Sequence, residues 1–483
     1  MFFKLSKNSF LRQIGKYGYI TNQLTKHDRV YNPSGLAFLS TISRNSSTVD
    51  EALSKLMNVF VDVDKETLRT DYADFINELA LNQYIITGET PEDLNKNDIS
   101  FSYEMENPKT ALYLYDSVRE RNGMTDTAEF FDAEFHKNPH IFGCEIEVTS
   151  RCNERCVHCY IPHENKTADL DDETFYDVLN QLHDMGTLAL TLSGGELFFR
   201  KNIADFLYYA RQKDFSISIL SNLTLADDEL IKVIKDINVN QVQVSVYSMD
   251  ASIHDEITQL PGSHKKTMKS IEKMMTENIP LQISCPTMKI NKDSYRDVLK
   301  WAHGNKSKAY TDYEMMAQSN FNDFNLQNRL DIKDAENIIK DIIKFDEDYL
   351  HLIKTTPPVK KDLEKLKNKP VCGAGVNNIC IGSQGNVYPC AGWQGYVAGN
   401  VKENFIKDIW ENSEELKYLR NITNASFPKC LACEDRDFCS ICLVRNFNES
   451  GGDMFKINPH HCDVAILNKR LADEYINKNE TKI

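Results

Sequence analysis

The chain has 483 residues, 41% hydrophobic and 26% charged, with 56 basic against 71 acidic side chains and a formal charge of −15. A length of this order predicts two to four domains with ample buried cores, and the acidic balance argues against general nucleic-acid affinity. No stretch approaches the ~20 apolar residues of a membrane helix. The N-terminus, Met1-Phe2-Phe3-Lys4-Leu5-Ser6-Lys7, lacks the apolar core and small-residue cleavage site of a signal peptide, so a cytoplasmic location is expected. Thiols stay reduced there, and the 13 cysteines then point to metal rather than disulfides.

Residues 1–60 carry eight Lys/Arg against three acids, a local +5 that would suit an acidic partner. Phe10 to Tyr19 and Val30 to Asn32 have the composition and Gly/Asn/Pro punctuation of short strands. Asn32-Pro33-Ser34 opens a helix with Leu36, Phe38, Leu39 and Ile42 on its apolar side. Val49, Leu53, Leu56 and Phe60 mark a second helix after Ser47-Thr48, and Leu68, Tyr72, Phe75, Ile76 and Leu79 a third from about Asp64. Three small strands followed by three helices predict a winged helix-turn-helix over residues 1–95. The stretch resembles PqqD-like precursor-recognition domains, through its Tyr/Asn-rich strands and the Asn32 and Gly35 entry to the first helix. That resemblance implies that the leader of a ribosomally made peptide adds a strand to the small sheet and lies against the third helix. DNA binding and a purely structural cap are the alternatives.

Residues 96–140 read as linker helices: Leu112, Leu114, Tyr115 and Val118 look like one helix, and Phe130, Phe131 and Phe135 would pack against a neighbour. Cys144 has no partner at metal spacing and reads as a small buried residue.

From residue 141 to 320 the chain alternates apolar runs with helical patterns. Expected strands are 145–149, 188–193, 215–220, 241–246, 281–285 and 309–314, with helices around 171–184, 201–212, 227–237, 265–277 and 293–303. About six such parallel βαβ units fall short of an eight-fold barrel, and catalytic loops belong at the C-terminal ends of the strands. The first strand leads into Thr149-Ser150-Arg151-Cys152-Asn153-Glu154-Arg155-Cys156-Val157-His158-Cys159-Tyr160. Three thiolates spaced C-x3-C-x2-C can cap three irons of a [4Fe–4S] cube, leaving the fourth iron open for a small molecule. A zinc knuckle or a disulfide loop is the plainer alternative.

The spacing, the lead-in and Tyr160 resemble the radical SAM superfamily. The resemblance implies an open (β/α)6 barrel in which Cys152, Cys156 and Cys159 hold a cluster whose free iron chelates S-adenosylmethionine. It further implies cofactor contacts at Gly194, Gly195 and Glu196 (with Leu197 where the family has Pro), at Ser221 and Asn222, and at Ser245 on the fourth strand. Tyr160 is expected beside the cofactor. His254 and Asp255 are expected to organise a loop, Gln259 has no assigned contact, and Cys285 reads as a core residue unless it faces the cavity as a hydrogen donor, as in peptide epimerases.

Residues 321–369 read as a helical linker, including a charged helix from Ile332 to Asp348. From 370 to 483 the thiols run Cys372, Cys380, Cys390, then Cys430, Cys433, Cys439, Cys442, then Cys462, and eight thiols complete two four-ligand clusters with none left over. With Gly399-Asn400-Val401, Ile409-Trp410, Leu416 and Arg420 between them, they look like a SPASM domain. That resemblance implies Cys372, Cys380, Cys390 and Cys442 on a first auxiliary cluster and Cys430, Cys433, Cys439 and Cys462 on a second, for three [4Fe–4S] clusters in all. The last spacing, Cys439-x2-Cys442, is one residue shorter than the family's usual one, and a zinc ribbon at Cys430, Cys433, Cys439 and Cys442 is the alternative.

The resemblances imply a radical SAM/SPASM maturase, an oxidoreductase that modifies a ribosomally made (RiPP) precursor peptide. A 5′-deoxyadenosyl radical would abstract hydrogen, and a thioether or carbon–carbon cross-link would form. A flavodoxin or ferredoxin would supply electrons. Epimerisation, side-chain oxidation of the sulfatase-maturase type and a metal-sensing winged-helix regulator are the competing readings.

Overall fold

The computed structural model describes residues 1–105, 127–345, 349–350, 353, 363–439 and 441–480. Six short strands, β1 (Phe2–Leu5), β2 (Ser9–Ile14), β3 (Tyr17–Asn22), β4 (His27–Tyr31), β5 (Ser47–Thr48) and β6 (Ile85–Gly88), form two antiparallel sheets ordered β5-β1-β6 and β2-β3-β4. The expected helices span Pro33–Leu39, Val49–Leu56 and Lys65–Leu81. Each begins on a side-chain cap: Asn32 accepts from Gly35 N–H, Thr48 and Glu51 close a capping box, and Asp64 accepts from Glu66 and Thr67 N–H. The expected three strands correspond to β2, β3 and β4. The extra sheet went unread because β1, β5 and β6 are only two to four residues long, too short for alternation to show.

This N-terminal region rests on the end of the central sheet where its strands begin. Phe10, Ile14 and Tyr19 cluster with Phe135, Leu188 and Val376. Phe130 and Phe131, on the helix Thr127–Lys137, pack edge-on against Tyr17 and Tyr19, while Leu112, Leu114, Tyr115 and Val118 lie outside the described residues. Arg12 donates to the carbonyls of Thr187 and Asp214, Arg12 and Arg44 pair with the Asp214 carboxylate, Lys26 reaches Asn240 and Arg29 pairs with Glu78. Much of the local +5 is therefore spent inside the molecule.

The central sheet contains the six expected parallel strands, close to their expected bounds: β7 (Gly143–Thr149), β8 (Ala189–Gly194), β9 (Ser216–Ser221), β10 (Gln241–Ser245), β11 (Leu281–Pro286) and β12 (Lys308–Asp312). Alternation along each strand separates two faces. Ile146, Val148, Leu190, Leu192, Ile217, Ile219, Val242, Val244 and Ile283 join Phe175, Leu179, Phe206 and Ile271 of the helices in the main core. Each such side chain contributes about 1.5–3 kcal/mol through burial. The opposite face is polar, carrying Glu145, Glu147, Thr191, Ser193, Ser218, Gln243, Ser245, Gln282 and Ser284. Cys285 lies with the core set, as the packing reading expected. Within residues 141–320 the α-helix Ala251–Thr258 was not anticipated.

The sheet does not stop at β7. From the cysteine-rich region β13 (Asn378–Ile381) pairs parallel to β7, and β14 (Asn386–Tyr388) and β15 (Gly399–Asn400) continue antiparallel, giving nine strands in the order β12-β11-β10-β9-β8-β7-β13-β14-β15. Among the described residues no helix is long and apolar enough to cross a membrane.

Candidate active site

The Cys152–Cys159 loop leaves the C-terminal end of β7 and is pinned from two sides. Arg155 and Val157 N–H donate to the carbonyls of Thr258 and Ile257, at 2.9 and 3.0 Å. Gly195 and Glu196 N–H donate to the carbonyls of Thr149 and Arg151, both at 2.9 Å. The two glycines are demanded by that second contact. A Cβ on Gly194, whose φ is +151°, would lie 2.1 Å from Thr149 O, and one on Gly195 would lie 2.4 Å from Ser150 O. The missing Cβ atoms thus let this turn lie directly on the cysteine loop.

Glu196 is buried, and its carboxylate accepts from Ser221 Oγ at 2.6 Å, Phe198 N–H at 3.0 Å and Asn222 N–H at 2.7 Å. The ends of β8 and β9 are thereby tied to one side chain. Asn222 Nδ2 donates in turn to Asn153 Oδ1 at 3.1 Å, inside the cysteine loop. The loop that carries Cys152, Cys156 and Cys159 thus packs against Gly194, Gly195, Glu196, Ser221 and Asn222. Burial raises the Cys156 thiol well above its usual range, and after Glu154 the charges that act on it are Cys159 and Cys152. Three thiols on one short loop, facing carboxylate, hydroxyl and amide groups, fit a cluster with an open iron and a zwitterionic, cationic ligand beside it.

Ser245 and Tyr160 stand apart from that wall. Ser245 pairs in register with Ser284 on the polar face, near Tyr247, whose hydroxyl lies 3.4 Å from His158 Nε2. Tyr160 sits toward Glu147, Glu145, Cys380 and Cys159, and burial keeps its phenol neutral. His254 Nδ1 accepts from Tyr247 N–H at 3.4 Å, and the Asp255 carboxylate accepts from Gly262 N–H, Ser263 Oγ and His264 N–H. Asp255 thereby organises the turn into the helix Ser263–Thr276, and His254 the backbone after the fourth strand. Gln259 closes the helix Ala251–Thr258 in the left-handed region, with φ +55°.

Three acids escaped the sequence reading. Glu145 accepts from Ser193 Oγ at 2.5 Å, and Glu147 accepts from Gln394 Nε2 at 3.0 Å on both oxygens, across to the cysteine-rich region. Burial, reinforced by Glu145, pushes the Glu147 carboxyl up to about 8. Glu154 is the third. Acids at alternate positions of an otherwise apolar strand were the available signal for the first two.

In the cysteine-rich region, burial raises Cys372, Cys380, Cys390 and Cys442. Cys390 acts on both Cys372 and Cys380, and Cys372 and Cys390 act on Cys442. Cys430 is likewise raised by burial and then by Cys462 and Cys433, and Cys439 by Cys462, Cys430 and Cys433. Cys372, Cys380 and Cys442 thus have Cys390 as a neighbour, and Cys430 and Cys439 have Cys433 and Cys462. Among the described residues no three His, Cys, Asp or Glu side chains converge on one ion-sized point.

Comparison with known proteins agrees with this fold. The model of the radical SAM superfamily matches residues 146–302, and that of the SPASM iron–sulfur cluster-binding domain matches residues 372–434. The chain is 24% identical over 325 residues to an AdoMet-dependent heme synthase of Methanosarcina barkeri, covering 63% of this chain and 92% of that one. It is 23% identical over 397 residues to AlbA, the antilisterial bacteriocin subtilosin biosynthesis protein of Bacillus subtilis, covering 79% and 83%. The structure of Streptococcus suis SuiB bound to its precursor peptide SuiA superposes with a TM-score of 0.62 at 15% identity, covering 94% of this chain and 99% of that one. Fold and family models together show that the chain carries a radical SAM domain followed by a SPASM iron–sulfur cluster-binding domain.

Proposed function

We propose that the protein is a radical SAM maturase of a ribosomally made precursor peptide, acting in the cytoplasm. The observation that carries this reading is the whole-chain likeness to SuiB, a protein seen with its precursor peptide, together with the similarity to the bacteriocin biosynthesis protein AlbA. The N-terminal region, which the barrel chemistry alone does not require, is included in that likeness.

In this reading Cys152, Cys156 and Cys159 hold the first cluster, and Gly194, Gly195, Glu196, Ser221, Asn222, Ser245 and Tyr160 surround S-adenosylmethionine. Cys372, Cys380, Cys390 and Cys442 hold one auxiliary cluster, and Cys430, Cys433, Cys439 and Cys462 the other. The bound cofactor and clusters supply one-electron cleavage and hydrogen abstraction. The chain fixes the geometry. Glu196 is immobilised by three donors, and the polar face of the sheet gives a peptide backbone hydrogen-bonding partners while the outer core stays dry. Placement matters because a reactive radical takes the nearest C–H. The leader adds along β4, the outer strand of its sheet, beside the helix Lys65–Leu81 in the PqqD-like manner. With Arg12, Arg29 and Arg44 already paired, its affinity rests on main-chain bonds and apolar contacts more than on charge. The product is a thioether or carbon–carbon cross-link, with electrons from a flavodoxin or ferredoxin. Cys285 in the core disfavours epimerisation with this thiol as hydrogen donor.

The test is the triple variant Cys152→Ala, Cys156→Ala, Cys159→Ala. It should lose about four irons per chain and all 5′-deoxyadenosine formation, while the eight C-terminal thiols keep theirs. Continued cofactor cleavage would sink the assignment.

A further inference from the structure

We infer that Glu154, inside the cysteine loop, is a second cofactor-contacting carboxylate, set against the sulfonium of S-adenosylmethionine. The inference rests on the reading that this pocket takes that cofactor.

Glu154 is 3% exposed, and its Oε1 has no hydrogen-bond partner. Its Oε2 accepts from Cys156 Sγ, at 3.3 Å, and the Asn222 side chain lies within hydrogen-bonding reach of the carboxylate. Among the described residues no Lys, Arg or His makes an ion pair with it: Lys166 is near enough for its field to reach Glu154 but forms no pair. The Asn222 side chain and the Glu196 carboxylate are its other polar neighbours. It therefore stands on the same wall as Glu196, Ser221 and Asn222.

A buried carboxylate oxygen with no donor is a natural counterpart for a cation. S-adenosylmethionine brings two positive centres, an ammonium and a sulfonium, and the wall offers two carboxylates. Glu196 is held rigidly by three donors and matches the ammonium role that the resemblance implies for it. Glu154, with a free oxygen, matches the second centre.

The experiment compares reconstituted wild type with Glu154→Gln, which keeps shape and removes charge. Iron content and the spectrum of the reduced cluster without added ligand establish that both are folded and loaded. Dissociation constants are then measured by equilibrium dialysis for S-adenosylmethionine and for S-adenosylhomocysteine, whose sulfur is neutral. The expected result is a loss of about ten- to a hundredfold for the sulfonium ligand alone, with S-adenosylhomocysteine changing less than about threefold. Equal losses for both ligands would put the carboxylate at the ammonium and overturn the inference. Unchanged binding of both would overturn it as well. Failure of wild type to bind S-adenosylmethionine would instead sink the reading of the pocket, which separates the two.

Discussion

His254 and Asp255 follow the fourth strand like a catalytic pair, but their partners define them otherwise. Asp255 caps the start of the helix Ser263–Thr276, and His254 accepts from the backbone of Tyr247. Burial lowers His254 to about 4, with His264 pushing the same way and Asp255 opposing. The folded form therefore holds His254 neutral, whereas the unfolded chain takes up a proton near 6.5. The stability this contributes is complete above pH 6.5 and is lost as pH falls toward 4. Melting temperatures of wild type and His254→Gln from pH 7.5 to 4.5 should show a shallower fall for the variant over that window. Parallel profiles would mean that His254 does not carry the linkage.

Between elements, the decisive contact is the turn after β8 lying on the loop after β7. The Gly-Gly-Glu sequence was legible as a motif, but its reason was not. Sequence shows two residues lacking Cβ and cannot show that Thr149 and Ser150 carbonyls occupy the space where those carbons would be. Gly194→Ala must move one loop off the other or strain the backbone at φ +151°. It is expected to lower stability by at least about 2 kcal/mol and to weaken S-adenosylmethionine binding, because Glu196 is positioned by the same turn. Gly304→Ala, where nothing lies within 4 Å, is the control and should stay within about 1 kcal/mol of wild type. Urea midpoints of the two variants decide it, and equal behaviour would contradict the packing argument. The six parallel strands and most helices were readable because each carries a run long enough to show its period. The two-residue strands β5 and β15 carry no period at all.

At the scale of the whole molecule, the sequence suggested modules in series, and the structure joins two of them in one sheet. β13 places Cys380 opposite Glu145 of β7, and Gln394 reaches Glu147. Cys380 of the cysteine-rich region thereby lies beside Glu145 on the sheet that carries the Cys152 loop. The cysteine spacings suggested which thiols belong together, whereas the parallel pairing of residues more than 200 positions apart left no local trace. At the other end, Arg12 and Arg44 tie the N-terminal region to the sheet through Asp214. A substrate held at the N-terminal region and altered at the polar face would have to span the molecule, as a leader–core peptide does. The most direct measurement is therefore the intact and fragment mass of a precursor peptide encoded beside this gene, after anaerobic incubation with the reconstituted protein, S-adenosylmethionine and a reductant. The account predicts loss of two hydrogens per site, with fragmentation suppressed between the two joined residues, and no change when the leader is omitted. A peptide of unchanged mass while 5′-deoxyadenosine accumulates in step with a different, non-peptide substrate would contradict it.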